Sequence, residues 1–239
     1  MSMKKFICLT SAALAATALT ASAQVTVDVV NAYIFRGATI NDEVNVQPGF
    51  GTTILGGAVN VGTWGNYNTD SSQFDEVDFF FGIPLPLGEE SPIQAEVGYT
   101  EYMYPTGVTG DEETGVIDGG LEADREPYAK VTTSIEDINA SLLLAYGIEG
   151  TPKDKFYSEL GLDSTVGVAE NLGLNLSTAV GYGEGAEETG FGFVSVGAKL
   201  IVTVLEDRDV SIGVKHFIET DDKVLEIDED TLVTLSFAL

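Results

Sequence analysis

Val194-Ser195-Val196-Gly197-Ala198-Lys199-Leu200-Ile201-Val202-Thr203 is the stretch from which the rest of the chain is best read. Val194, Val196, Ala198, Leu200 and Val202 share one face of an extended strand, and Ser195, Gly197, Lys199 and Thr203 share the other with Ile201. Side chains alternate across a strand, and about ten residues suffice for a tilted strand to cross a bilayer. One apolar face opposite one small or polar face is therefore the pattern of a membrane β-barrel. The same alternation recurs nearby. Val210, Ile212 and Val214 oppose Ser211, Gly213 and Lys215; Leu160, Leu162 and Val166 oppose Tyr157, Glu159, Gly161 and Asp163.

Working outward, strand signals predict about twelve strands: 25–36, 44–54, 57–66, 74–83, 93–104, 127–136, 139–149, 155–167, 172–183, 191–204, 209–218 and 231–239. Short turns (Gly56-Gly57, Asp137-Ile138, 169–171 and 206–208, with a moderate link from Pro84 to Pro92) alternate with mostly longer polar links (37–43, 67–73, 105–126, 150–154, 184–190 and 219–230). The expected fold is all-β: a transmembrane antiparallel barrel with short periplasmic turns, longer outer loops and an even strand count. Aromatics gather at the strand ends next to the longer links: Tyr33, Phe35, Trp64, Phe74, Tyr102, Tyr104, Tyr128, Tyr146, Phe156, Tyr157, Tyr182, Phe191, Phe193 and Phe217. They read as an outer headgroup-level girdle. The last strand alternates Val233, Leu235, Phe237 and Leu239, with leucine where such barrels usually end in an aromatic.

Residues 1–23 read as a signal peptide. Lys4 and Lys5 precede an apolar run from Phe6 to Thr20, and Ala21-Ser22-Ala23 is an A-x-A cleavage site, which leaves 24–239 as the barrel domain. The lone cysteine, Cys8, falls in the leader, so thiol and disulfide chemistry is not expected of the exported domain. No later apolar run approaches the ~20 residues of a spanning helix. The balance of 38 acidic against 11 basic residues, net −27, argues against nucleic acid, which needs a basic surface. Many acids fall in two links. Asp111, Glu112, Glu113, Asp118, Glu122, Asp124 and Glu126 lie in 105–126, and Glu219, Asp221, Asp222, Glu226, Asp228, Glu229 and Asp230 lie in 219–230. A solvated, self-repelling surface suited to a saline habitat is the plain reading; bridging of divalent cations to lipid headgroups is the sharper one.

Four segments resemble the Gcw_chp family of exported bacterial proteins, also described as TorF-type porins. Tyr33-Ile34-Phe35-Arg36-Gly37 is similar to its Y-x-F-R-G, and Gly62-Thr63-Trp64-Gly65-Asn66 to its G-x-W-x-N. Asp75-Glu76-Val77-Asp78 resembles its E-x-D, and the stretch from Gly98 to Pro105 resembles its G-x-x-x-Y-x-Y-P. The order holds over the first half of the exported chain. The resemblance implies a β-barrel and a porin role, without a defined substrate or catalytic residues.

No catalytic constellation emerges. The single histidine, His216, shares the apolar face of its strand, and no second nitrogen or sulfur ligand accompanies it for zinc. No enzyme activity and no cofactor are expected. The face opposite the apolar one supplies candidate pore-lining residues: Asp28, Arg36, Glu76, Asp78, Glu96, Lys130, Glu159, Asp163, Lys199 and Lys215. The function expected is a porin for passive diffusion of small, cationic solutes through a narrow lumen, with Arg36 and Lys199 set against Glu96, Glu159 and Asp163. The alternative is a non-conducting structural or surface-binding barrel whose inward charges pair and fill it. A secreted β-sandwich is a third option, opposed by the apolar stripes. Expected partners are outer-membrane lipid, the barrel-assembly machinery and small solutes or cations, at the bacterial outer membrane.

Overall fold

The structure, a computed structural model, describes residues 23–88, 91–105, 109–110, 117–118, 122–184, 188–205, 208–221, 224 and 230–239. The leader up to residue 22, and with it Cys8 and most of the cleavage site, lies outside the described residues. So do Asp111, Glu112, Glu113, Asp222, Glu226, Asp228 and Glu229 of the two acidic links.

In chain order the strands are β1 (Gln24–Val30), β2 (Tyr33–Phe35), β3 (Ala38–Asn41), β4 (Asn45–Ile54), β5 (Val59–Asn68), β6 (Gln73–Leu85), β7 (Ile93–Tyr104), β8 (Thr109–Gly110), β9 (Ile117–Asp118), β10 (Glu122–Ile135), β11 (Ile138–Tyr146), β12 (Phe156–Ala169), β13 (Leu172–Glu184), β14 (Thr189–Leu205), β15 (Arg208–Glu219) and β16 (Thr231–Ala238). Twelve of them close a ring in the order β1-β16-β15-β14-β13-β12-β11-β10-β7-β6-β5-β4. Every neighbour in that ring is antiparallel, and the seam pairs Thr26 with Ala238, Asp28 with Ser236 and Val30 with Thr234. Closure leaves no strand edge unpaired, which is what lets a sheet sit in hydrocarbon.

The alternation read from 194–203 holds. On β14 Val196 and Leu200 are exposed, whereas Ser195 and Ile201 are buried within the ring. Around the barrel Leu142, Leu144, Leu160, Leu162, Ile212, Val214, Val233 and Leu235 are exposed on the outside. So broad an apolar surface belongs against lipid. Val214 lies near the middle of β15, on this face. Val214→Arg is expected to destabilise the folded barrel by about 2–4 kcal/mol if it sits at the bilayer midplane. Urea unfolding in lipid vesicles measures this, and an unchanged midpoint would remove that face from the lipid.

The first strand departs from expectation. A single strand over 25–36 is not formed: β1 ends at Val30, where the Asn31 side chain bonds the β16 backbone, donating to the Thr231 carbonyl (3.0 Å) and accepting from the Val233 amide (2.5 Å). The chain then doubles back as the β2–β3 hairpin, with Phe35 opposite Ala38 across the two-residue turn Arg36-Gly37. Both turn residues have positive φ, 53° and 87°. A two-residue turn of this hand matches strand twist and favours glycine at its second position. The hairpin belongs to a separate two-stranded sheet and its side chains reach the barrel's interior residues.

The aromatic girdle also needs correction. Phe74, Tyr146 and Phe191 are exposed on the outside, and Tyr182 stacks edge-on against Phe191. Phe193 and Phe217 instead are buried together on the inside, and Tyr33, Phe35, Trp64, Tyr102, Tyr104, Tyr128 and Tyr157 also take part in interior contacts. Their parity matches that of the luminal charges: Tyr157 with Glu159, Phe217 with Lys215. The rings gather at one end because the hairpin is there to be packed against.

Candidate functional site

The interior is built from the inward parity of each strand plus the hairpin. In its outer part the hairpin spans the lumen. The Tyr33 hydroxyl donates to Glu76 Oε2 of β6 at 2.7 Å, and its ring lies 5.5 Å from that of Trp64 on β5. Burial, then the Glu76 charge, holds the Tyr33 phenol well above its ordinary pKa, so it stays a donor. Ile34 joins Val30, Ala32, Phe193, Phe217 and Leu232 in a buried apolar cluster against β14, β15 and β16. Thr39 donates to Asp230, and Asn41 to Asp75 at 3.3 Å. Asn45 ties the hairpin's base to the wall by donating to Asn41 (2.6 Å), and Asn66 in turn donates to Asn45 (2.9 Å) and Asp75 (2.7 Å) while accepting from Gln47 (2.9 Å).

Arg36 lies at the hairpin's tip. Its two terminal nitrogens donate to the two oxygens of Glu126 on β10, at 2.9 and 2.6 Å, in the fork-on-fork geometry that suits guanidinium and carboxylate. The Tyr102 hydroxyl of β7 donates to the same carboxylate at 3.0 Å. The guanidinium carbon lies 4.1 Å from the centre of the Tyr157 ring of β12 and 4.7 Å from that of Phe35. These are cation–π distances. Burial opposes the charge, but Tyr102 and Glu126 outweigh it, and the Arg36 pKa is raised.

Deeper in, Glu96 accepts from Asn60 (2.5 Å) and Tyr128 (2.7 Å). The Tyr128 ring lies across Gly98: a Cβ there would come within 2.3 Å of it and 2.4 Å of the Phe81 carbonyl, so only glycine admits it. Asp163 accepts from Asn139 (3.0 Å) and Asn175 (3.2 Å), and Glu159 from Tyr157 (2.7 Å). Asp28, Lys199 and Lys215 line a cavity of about 40 Å³ with Asn175, Ser177 and Ser236. Arg36, Glu159 and Lys215 border a second, of about 30 Å³, together with Ile34, Phe193 and Phe217. Glu76 and Asp78 are both buried on the β6 wall, and one Asp78 oxygen has no hydrogen-bond partner among the described residues.

Lys130 is on β10, opposite Glu96 in register. β6 and β7, which carry Glu76, Asp78 and Glu96, stand across the ring from β14 and β15, which carry Lys199 and Lys215. Among the described residues no group of three or more His, Cys, Asp or Glu side chains is arranged to hold a metal ion. His216 points outward with its apolar neighbours, its Nδ1 3.0 Å from Thr231 Oγ1.

Arg36 thus reaches the lumen from the hairpin and not from a barrel strand. The residue missed entirely is its partner, Glu126, which is 3% exposed. It read as one more loop acid because Pro127 looked like the start of a strand. Yet β10 begins at Glu122, and Glu126 has the parity of Tyr128 and Lys130. That shared parity was the available signal.

A closed, twelve-strand antiparallel barrel, apolar outside and charged within, is the architecture of an outer-membrane β-barrel protein. A family model described as "Bacterial protein of unknown function (Gcw_chp)" matches residues 12–230, and the chain belongs to that family. Among solved structures it is similar in fold to the NanC porin (10% identity, 91% of this chain and 98% of that one covered, TM-score 0.54). It is also similar to the COG4313 outer membrane channel from Pseudomonas putida F1 (9% identity, 92% and 96% covered, TM-score 0.51). No curated protein sequence matches the chain.

Proposed function

We propose that this protein is an outer-membrane channel for passive diffusion of small solutes, with a preference for cations. It would be exported by a cleaved leader, delivered by the barrel-assembly machinery and seated in outer-membrane lipid. Asp28, Arg36, Glu76, Asp78, Glu96, Lys130, Glu159, Asp163, Lys199 and Lys215 would line its path. The supporting observation is the charge of the inward face. The carboxyl groups of Asp28, Glu76, Asp78, Glu96, Glu126, Glu159 and Asp163 outnumber the bases Arg36, Lys130, Lys199 and Lys215. Rings and walls of one sign set the ion preference of a narrow pore.

Single-channel recording in planar bilayers tests this reading, with reversal potentials measured across a salt gradient. Discrete steps with a cation-selective reversal potential are expected, and Lys199→Glu with Lys215→Glu should move that potential further toward the cation limit. Anion selectivity at neutral pH would overturn the charge assignment. A second reading, a non-conducting structural or surface-binding barrel, is favoured by the hairpin in the lumen, whose side chains bond to Glu76 on one wall and Glu126 on another. Silence from protein whose heat-shifted gel mobility shows it folded would select that reading.

A further inference from the structure

Arg36 is bound as a ligand would be. Its carboxylate, its hydroxyl neighbour and one of its two rings come from three barrel strands, Glu126 on β10, Tyr102 on β7 and Tyr157 on β12. Those strands are locked in the ring, whereas the guanidinium is carried in on a two-residue turn. Arginine is also a poor choice for that turn. At φ 53° the first turn residue favours asparagine, aspartate or glycine, so the position is held against its local preference. A forked carboxylate beside an aromatic face is the usual recognition chemistry for a planar organic cation.

We propose that Glu126, Tyr102 and Tyr157 form a binding site for solutes bearing a guanidinium or a primary ammonium group, and that Arg36 occupies it as a built-in competitor. An incoming cation of this class takes the Glu126 carboxylate and the Tyr157 face, and the hairpin tip is released. That the solute arrives through the outer mouth and passes on rests on the channel reading above; the binding itself does not. Because a site filled by its own chain is available only in the fraction of molecules whose tip has lifted, external affinity is reduced by that fraction.

The probe is methylguanidinium chloride, added to the refolded protein in detergent micelles, with sodium chloride at equal ionic strength as the control. In Arg36→Ala the site is vacated, and the probe should raise the thermal unfolding midpoint where sodium does not. Wild type should respond only at concentrations at least about tenfold higher. In wild type the displaced hairpin should also change the fluorescence of Trp64, the chain's single tryptophan, which the Tyr33 ring touches. Adding Glu126→Gln to either protein should abolish the response. Folded Arg36→Ala that ignores the probe, or a response that survives Glu126→Gln, overturns the site. Should Arg36→Ala not fold, wild-type fluorescence decides: no change beyond the sodium control overturns the proposal. Bilayer recording of the same preparations keeps the two ideas apart. Binding without current refutes the channel and leaves the site, and current without binding does the reverse.

Discussion

Replacing residues 33–41 with a short glycine-serine link is expected to raise ion current more than any single substitution in the lumen. The hairpin fills the outer part of the interior from Glu76 on one wall to Phe193 and Phe217 on the other. None of its residues takes part in the pairing of the ring, so the twelve-strand barrel should survive its removal. The gap is easily bridged, because Tyr33 and Asn41 are register partners and the flanking residues leave side by side. The cost is local: Phe193 and Phe217 lose an apolar cover and face water. Planar-bilayer recording should show larger and steadier conductance steps from the trimmed barrel than from the intact one, with gel mobility confirming the fold. Equal currents would place the limiting constriction deeper, around Glu96, Tyr128 and Lys130.

Glu126→Ala is expected to be the most destabilising change in the interior. It leaves a guanidinium held among rings without its carboxylate, and breaking one partner of a buried pair typically costs about 3–5 kcal/mol. The Arg36 side chain is 18% exposed against 4% for Glu126, so the loss should fall toward the lower end. Arg36→Ala combined with Glu126→Ala should be less harmful than Glu126→Ala alone, since it removes the stranded charge as well. Urea unfolding of the four proteins of this double-mutant cycle in lipid vesicles gives the coupling. A coupling below about 1 kcal/mol, the range of exposed ion pairs, would mean that water reaches the pair freely.

The barrel was legible in the sequence because its physics is periodic. On β14 and β15 lipid and lumen demand opposite chemistry at successive positions, and the residues from Val194 to Lys215 comply almost without exception. The hairpin was hidden. Tyr33, Ile34 and Phe35 are good strand formers that prolong the run from Val25, and such a run cannot tell a strand that continues from one that turns inward. The signal that could have separated them was Gly37, the residue that a two-residue hairpin turn favours at its second position, flanked by residues able to pair. Glu126 was concealed by composition: in so acidic a chain one more carboxylate before a proline carried no contrast. The choice between girdle and lumen for the aromatics lay in parity with the luminal charges, Tyr157 with Glu159 and Phe217 with Lys215, and position along the strand alone could not make it.

The seam between β1 and β16 bears on the order in which the molecule assembles. The hairpin leaves β1 beside that seam, and its side chains grip β5, β6, β10, β12 and the run leading into β16. Those partners do not face one another until the first and last strands have met. The hairpin tip is therefore a late-ordering element: Arg36 and Ile34 meet all their partners only in a finished cylinder, after the strands have inserted. Half-built barrels would be leaky, and the last event of biogenesis would be the one that narrows them.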